Sequence, residues 1–178
     1  MSTRFEYQQA ITNWVRPSFA DIESIALSLT FKDRVGTEWL STEVAEKTVH
    51  HYLRRINRVG RGKRMSCVAL PLRTLAIREG GIGKTMKRLH YHLQIEVPPA
   101  TTAAAFATRC CDVWRRLDWG GRECYATRVT DDGWMDYMLK LRDKPEYCYA
   151  LDVNNSWLAR DAKASHSGPY RADADGSA

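Results

Sequence analysis

Leu89-His90-Tyr91-His92-Leu93-Gln94-Ile95-Glu96-Val97 alternates strictly between apolar and polar side chains. On a β-strand, where side chains repeat with period two, Leu89, Tyr91, Leu93, Ile95 and Val97 share one face and His90, His92, Gln94 and Glu96 share the other. The first face reads as core and the second as chemistry. Two imidazoles about 6.5 Å apart, from a rise of ~3.3 Å per residue, can converge on one divalent cation and leave room for a further ligand and a substrate oxygen. A His-x-His pair on its own also describes a solvated polar face, so the rest of the chain must decide.

Upstream, Glu23 to Phe31 alternates as well, with Ile25, Leu27, Leu29 and Phe31 on one side, and reads as a first strand with one buried face. Ser41 or Thr42 can cap a helix carrying Val44, Ala45, Val49, Tyr52, Leu53 and Ile56 at helical spacing, closing near Gly60. A strand is expected from Met65 to about Ile77, demoted to an edge or a bulge by Pro71. The loop Glu79 to Lys84 then returns the chain into the histidine strand as a hairpin. Pro98-Pro99 ends that strand. A helix follows from about Thr102 with Phe106, Cys110, Val113, Trp114 and Leu117 as its stripe, stopping at Gly120-Gly121. Glu123 to Val129 reads as a fourth strand, and Asp131 or Asp132 caps a last helix through Trp134 to Lys140.

The order strand, helix, strand, strand, helix, strand, helix predicts an α+β, ferredoxin-like (split βαβ) antiparallel sheet with helices on one face and the other face open. The expected organisation is an N-terminal extension over 1–21, one domain over 22–158, and a flexible tail over 159–178, rich in small, polar and charged residues.

The 178 residues suit one domain, and no apolar run approaches the ~20 residues of a membrane span. The start lacks a signal-peptide pattern, so a cytoplasmic location is expected. Five cysteines without C-x-x-C spacing argue for reduced, buried thiols rather than a disulfide framework or a zinc ribbon. With 27 Lys and Arg against 21 Asp and Glu, the net charge of +6 favours a polyanionic partner. Arg54, Arg55 and Arg58 cluster on the first helix, and Lys84, Lys87 and Arg88 lead into the histidines, which makes a phosphate backbone the natural ligand.

On the last helix Tyr137, Lys140 and Lys144 are three and then four residues apart, and they share a face if the helix runs on to Pro145. Taken in order, the apolar strand ending Leu27-Ser28-Leu29-Thr30-Phe31, His90-Tyr91-His92 and Tyr137-x-x-Lys140 resemble the HUH endonuclease superfamily. The likeness is to the single-tyrosine replication initiators of plasmids, phages and single-stranded DNA viruses, and it covers roughly residues 22–145.

That resemblance implies that Tyr137 attacks a DNA phosphodiester, giving a 5′-phosphotyrosine and a free 3′-hydroxyl. Lys140 would stabilise the phenolate or position the strand. His90, His92 and Glu79 would hold Mg²⁺ or Mn²⁺. Gln94 is the alternative third ligand, whereas Glu96 lies about 13 Å beyond His92 by strand rise. Lys84, Lys87, Arg88, Lys144, Arg54, Arg55 and Arg58 would face DNA. The implied partners are single-stranded DNA with an origin hairpin and a host helicase and polymerase. The implied location is the bacterial cytoplasm, or the nucleus for a eukaryotic replicon.

Gly81-Ile82-Gly83-Lys84-Thr85 lacks the spacing of a phosphate-binding P-loop, so no fused helicase is expected. A single-tyrosine transposase or a small relaxase would use the same residues. A non-catalytic RRM-like module would instead need exposed aromatics on its central strands, where this chain offers His, His, Gln and Glu.

Overall fold

The computed structural model describes residues 4–61, 71–81, 87–140 and 150–158. Helix α1 (Arg4–Val15) precedes β1 (Ser24–Phe31), a two-stranded ribbon of β2 (Arg34–Val35) and β3 (Glu38–Trp39), and α2 (Thr42–Arg61). Then come β4 (Thr74–Glu79), β5 (His90–Glu96), α3 (Ala103–Arg115), β6 (Gly120–Arg128) and α4 (Gly133–Met138).

The main sheet has the order β4-β5-β1-β6 with every neighbouring pair antiparallel. This is the α+β, ferredoxin-like arrangement expected from the sequence: β1 and β4, joined through α2, flank β5, and β6 adds beside β1. No helix among the described residues is long and apolar enough to cross a membrane.

The alternation of β5 is realised in its burial. Tyr91, Leu93 and Ile95 are fully buried with Ile25, Leu27 and Leu29 of β1. On this face lie α2 and α3, contributing Ala45, Val49, Tyr52, Ile56, Phe106, Cys110 and Trp114 to one core cluster. Local chemistry starts both helices. Ser41 Oγ accepts a hydrogen bond from Val44 N at 3.1 Å, and the Thr102 hydroxyl accepts one from Ala105 N at 3.3 Å. Each cap satisfies an amide the helix itself leaves unpaired.

The opposite face is partly roofed rather than bare. Ile11 and Val15 of α1, Phe19, and Met135, Met138 and Leu139 pack on Leu75 and Ile77 of β4 in a second cluster. The segment expected to be an extension is therefore integral to the domain. Arg16 adds ion pairs of 2.8 and 2.9 Å to Asp132 and Asp136, which tie the end of α1 to α4. Toward β6 the face opens, and Tyr125 is exposed there.

Three expected boundaries move. Gly120-Gly121 open β6 instead of ending α3. A Cβ on Gly120 would lie 2.0 Å from Trp114 O, and one on Gly121 would lie 2.6 Å from Thr30 O, so both positions exist for close backbone approach. The second strand begins at Thr74; residues 65–70 lie outside the described residues. Helix α4 ends at Met138, so Tyr137, Lys140 and Lys144 do not share a continuous helical face, and Lys144 lies outside the described residues. The edge position foreseen for the Pro71 strand holds within the sheet. Outside it, Leu151 bridges Ile77 and Trp157 bridges Thr74, which covers that edge.

Candidate functional site

Sheet register assembles the site. His90 and His92 project from β5 onto the roofed face, and the antiparallel pairing sets Glu79 opposite His90 on β4, with Thr30 and Ser28 of β1 on the other flank. Glu79 is the last residue of β4, and Gly80 follows with φ +79°, a left-handed conformation natural to glycine. A Cβ there would fall 2.4 Å from Arg88 O and 2.6 Å from Lys87 O. The tight turn thus holds the carboxylate against the histidine strand.

Glu79 Oε2 is 3.5 Å from His92 Nε2, and Glu79 Oε1 is 4.0 Å from His90 Nε2. One donor atom from each of the three residues lies within 4.8 Å of the others. The outer nitrogens are already committed. His90 Nδ1 is 2.7 Å from Arg88 O, and a carbonyl only accepts, so Nδ1 donates there and Nε2 is the nitrogen turned toward Glu79. His92 Nδ1 is 2.9 Å from Ser28 Oγ, again leaving Nε2 on the Glu79 side. Two imidazoles oriented through their far nitrogens toward a carboxylate form a divalent-cation donor set, and Glu79 and His92 are almost entirely buried within it. The residues therefore fit a metal ion. A mixed oxygen and nitrogen set suits Mn²⁺ or Mg²⁺, with the imidazoles favouring Mn²⁺.

The other acidic and amide groups of this face are engaged elsewhere. Glu96 Oε2 accepts from Arg73 N at 3.0 Å. Gln94 pairs across from Leu75 rather than Glu79, and its amide nitrogen donates to Ser24 Oγ at 3.0 Å. Glu79 is the carboxylate that meets the histidines.

From α4, Tyr137 brings its ring edge-on to His92 with centroids 5.2 Å apart, and 44% of the residue remains exposed. Trp134 stacks on Tyr137 at 5.5 Å and 19°, stands edge-on to His92 at 5.3 Å, and donates from Nε1 to Leu93 O at 3.3 Å. Lys140, just past the helix, sets its Nζ 3.7 Å from the Tyr137 ring centroid and 3.6 Å from Glu79 Oε1. The Tyr137 ring, the donor set and the Lys140 side chain thus adjoin one another. On the core face, burial first, and then the Asp152 carboxylate that accepts from its hydroxyl at 2.9 Å, push the Tyr91 phenol far above its ordinary value. Tyr91 is a core residue, as its strand parity indicated.

Of the basic residues, Lys87 reaches the site, with Nζ 3.7 Å from Glu79 Oε1. Arg88 turns to Asp33 instead. Arg54, Arg55 and Arg58 do not join the site: they are exposed on α2, whose buried residues pack on the opposite face of the sheet. A helix laid on the core face must point its polar side away from the histidines. Lys84 and Lys144 lie outside the described residues.

Sequence reading missed Trp134, Ser28 and Arg16. Strand alternation could have found Ser28, since β1 must set a small side chain beside each histidine. Beside Tyr137 a groove of about 340 Å³ runs to β6, lined by Ala26, Thr127, Arg128, Trp134 and Tyr137 among others. Neither a family model, nor a curated protein, nor a solved structure matches this chain.

Proposed function

We propose that this protein is an HUH-type single-stranded DNA endonuclease and strand transferase that initiates rolling-circle replication. The observation that carries the reading is the meeting of an exposed phenol with the Glu79, His90, His92 donor set, with Lys140 joining the two.

The phenol oxygen of Tyr137 bonds to phosphorus, the bond from phosphorus to the 3′ oxygen breaks, and that oxygen leaves as a 3′-hydroxyl after taking up a proton. The 5′ side stays on the tyrosine. Because one phosphodiester replaces another, a later 3′-hydroxyl can reverse the step and rejoin strands without ATP. A phenol with an ordinary pKa of ~10 is a weak nucleophile at neutral pH, and its attack builds negative charge. Lys140, whose Nζ lies over the ring, is placed to offset the negative charge that develops during the attack. Trp134 and His92 fix the ring, and the Arg16 ion pairs hold α4 in place. A divalent cation, when bound, supplies Lewis-acid polarisation and charge neutralisation at the phosphate.

The remaining 3′-hydroxyl primes a host polymerase, and a host helicase unwinds an origin whose hairpin presents the single strand. The protein works where its replicon does, in a bacterial cytoplasm or a nucleus. A single-tyrosine transposase or mobilisation nuclease would use the same atoms. One observation favours a non-catalytic RRM-like reading: Tyr125, exposed on β6 across Ser28 from His92, is placed to stack on a base. That reading has no use for the donor set.

Labelled single-stranded oligonucleotides incubated with protein and Mn²⁺ and resolved on a denaturing gel separate the readings. Cleavage with one product retained on protein, lost in Tyr137→Phe, is expected. Binding without cleavage would favour the RRM-like module, and cleavage with both ends free in Tyr137→Phe would make this a hydrolytic metal nuclease.

A further inference from the structure

On the far side of β6 from the site, two thiols meet. Cys111 of α3 and Cys124 of β6 are both buried, and their sulfurs are 2.7 Å apart. That is well inside the ~3.5–4.0 Å at which non-bonded heavy atoms sit at ease, and not far outside a disulfide bond of ~2.05 Å. It is also too short for a shared metal, because two thiolates around a tetrahedral zinc at ~2.3 Å are roughly 3.8 Å apart. Both residues line a cleft of about 970 Å³ beside the free edge of β6, together with Ala107 and Arg115.

The pair is chemically asymmetric. The Cys124 thiol hydrogen bond, and then the nearby Arg115 guanidinium, hold the Cys111 thiol below its ordinary value, while the Cys111 sulfur and burial drive Cys124 upward. Neighbouring Cys110 is pushed up to about 12 by burial. Cys111 is therefore the nucleophile and Cys124 the resolving thiol.

We propose that Cys111 and Cys124 are a thiol oxidation site that a peroxide converts to a disulfide stapling α3 to the edge strand β6. The Cys111 thiolate attacks one peroxide oxygen; an S–O bond forms, the O–O bond breaks, and the departing hydroxide takes up a proton as water. The Cys124 sulfur then attacks the sulfenic sulfur of Cys111. The S–S bond forms, the S–O bond breaks, and the hydroxyl leaves as water with the Cys124 proton. Two thiols lose two electrons and one peroxide becomes two waters. The site is independent of any reaction at Tyr137.

The test treats the full chain with hydrogen peroxide, blocks remaining thiols, and digests with trypsin without reductant. Trypsin releases Cys110 to Arg115 and Glu123 to Arg128 as separate peptides. After oxidation they should travel as one species about 2 Da lighter than the sum of the two peptides with Cys110 blocked and Cys111 and Cys124 as free thiols, and fragmentation should assign the link to Cys111. A melting temperature raised by roughly 5–10 °C and restored by reductant should accompany it. Cys111→Ser should abolish the link and Cys110→Ser should retain it. The wild-type peptide map decides the matter even if a variant misfolds. A map showing Cys111 as sulfinic acid with Cys124 still alkylatable, a link through Cys110, or two unmodified peptides would overturn the proposal.

Discussion

Replacing Glu79 by Gln keeps the shape of the side chain and removes its charge. In the protein without metal, that carboxylate lies 3.6 Å from the Lys140 ammonium and 3.7 Å from that of Lys87. At an effective dielectric of about 20, each such pair attracts by about 4–5 kcal/mol before screening. Lys87 is 56% exposed and Lys140 24% exposed, which cuts the first contribution to below ~1 kcal/mol and trims the second. Against them stands the cost of burying a carboxylate, several kcal/mol. The two sides nearly cancel, so Glu79→Gln should change metal-free stability by no more than about 2 kcal/mol in either direction.

Metal linkage behaves differently. Mn²⁺ at 100 times its Kd should stabilise the wild type by about 2.7 kcal/mol, a rise of roughly 5–10 °C in melting temperature. Losing the one charged ligand should weaken binding at least ~100-fold, which leaves about 0.4 kcal/mol, or about 1 °C, at the same concentration. Thermal melts with and without Mn²⁺ read both quantities. A variant that keeps the full metal-dependent shift would refute the ligand role, and one destabilised by more than ~4 kcal/mol without metal would make Glu79 a structural ion-pair residue.

Lys140→Met should slow covalent attachment to DNA about 10²-fold and keep the Mn²⁺ thermal shift; loss of that shift instead would contradict its role over the phenol. Gly80→Ala meets a left-handed φ and two carbonyls inside 3 Å, so it should cost more than ~3 kcal/mol. Gly36→Ala, with φ +57° and nothing within 4 Å, should cost only ~1–2 kcal/mol by urea denaturation, and equal costs would contradict the close packing of the Glu79 turn. The triple Ala variant of Arg54, Arg55 and Arg58 should leave the salt dependence of single-strand binding unchanged. A slope reduced by about 2, as three lost phosphate contacts would give, would put DNA on the helix side of the sheet.

The sheet was legible because its signals are local. Parity in Leu89 to Val97 assigns every side chain to a face, and one-sided alternation in β1 does the same for its neighbour. Ser41 and Thr102 announce their helices because a capping hydroxyl acts within three residues. Gly120-Gly121 misled because glycine after a helical stripe usually closes the helix, whereas here the contacts that demand it, Trp114 O and Thr30 O, come from packing. Helix α1 is faint in the sequence because it buries little beyond Ile11 and Val15, and the ion pairs of Arg16, the residue after it, span more than a hundred residues. At the site, the histidines and Glu79 were readable as residue types with a reach. The stacking of Trp134 on Tyr137 was not, since it depends on where α4 crosses the sheet. The arginine cluster was read by charge alone, and only packing shows that its helix covers the other face.

The most direct measurement is the identity of the residue bonded to DNA. Protein incubated with a single-stranded oligonucleotide and Mn²⁺, digested with nuclease and trypsin, should carry a nucleotide phosphate on the peptide from Val129 to Lys140, whose one tyrosine is Tyr137. The adduct should vanish in chelator and in Tyr137→Phe. Attachment at any other residue, or an adduct that forms equally well in Tyr137→Phe, would contradict the assignment of this phenol as the nucleophile beside the Glu79, His90, His92 donor set.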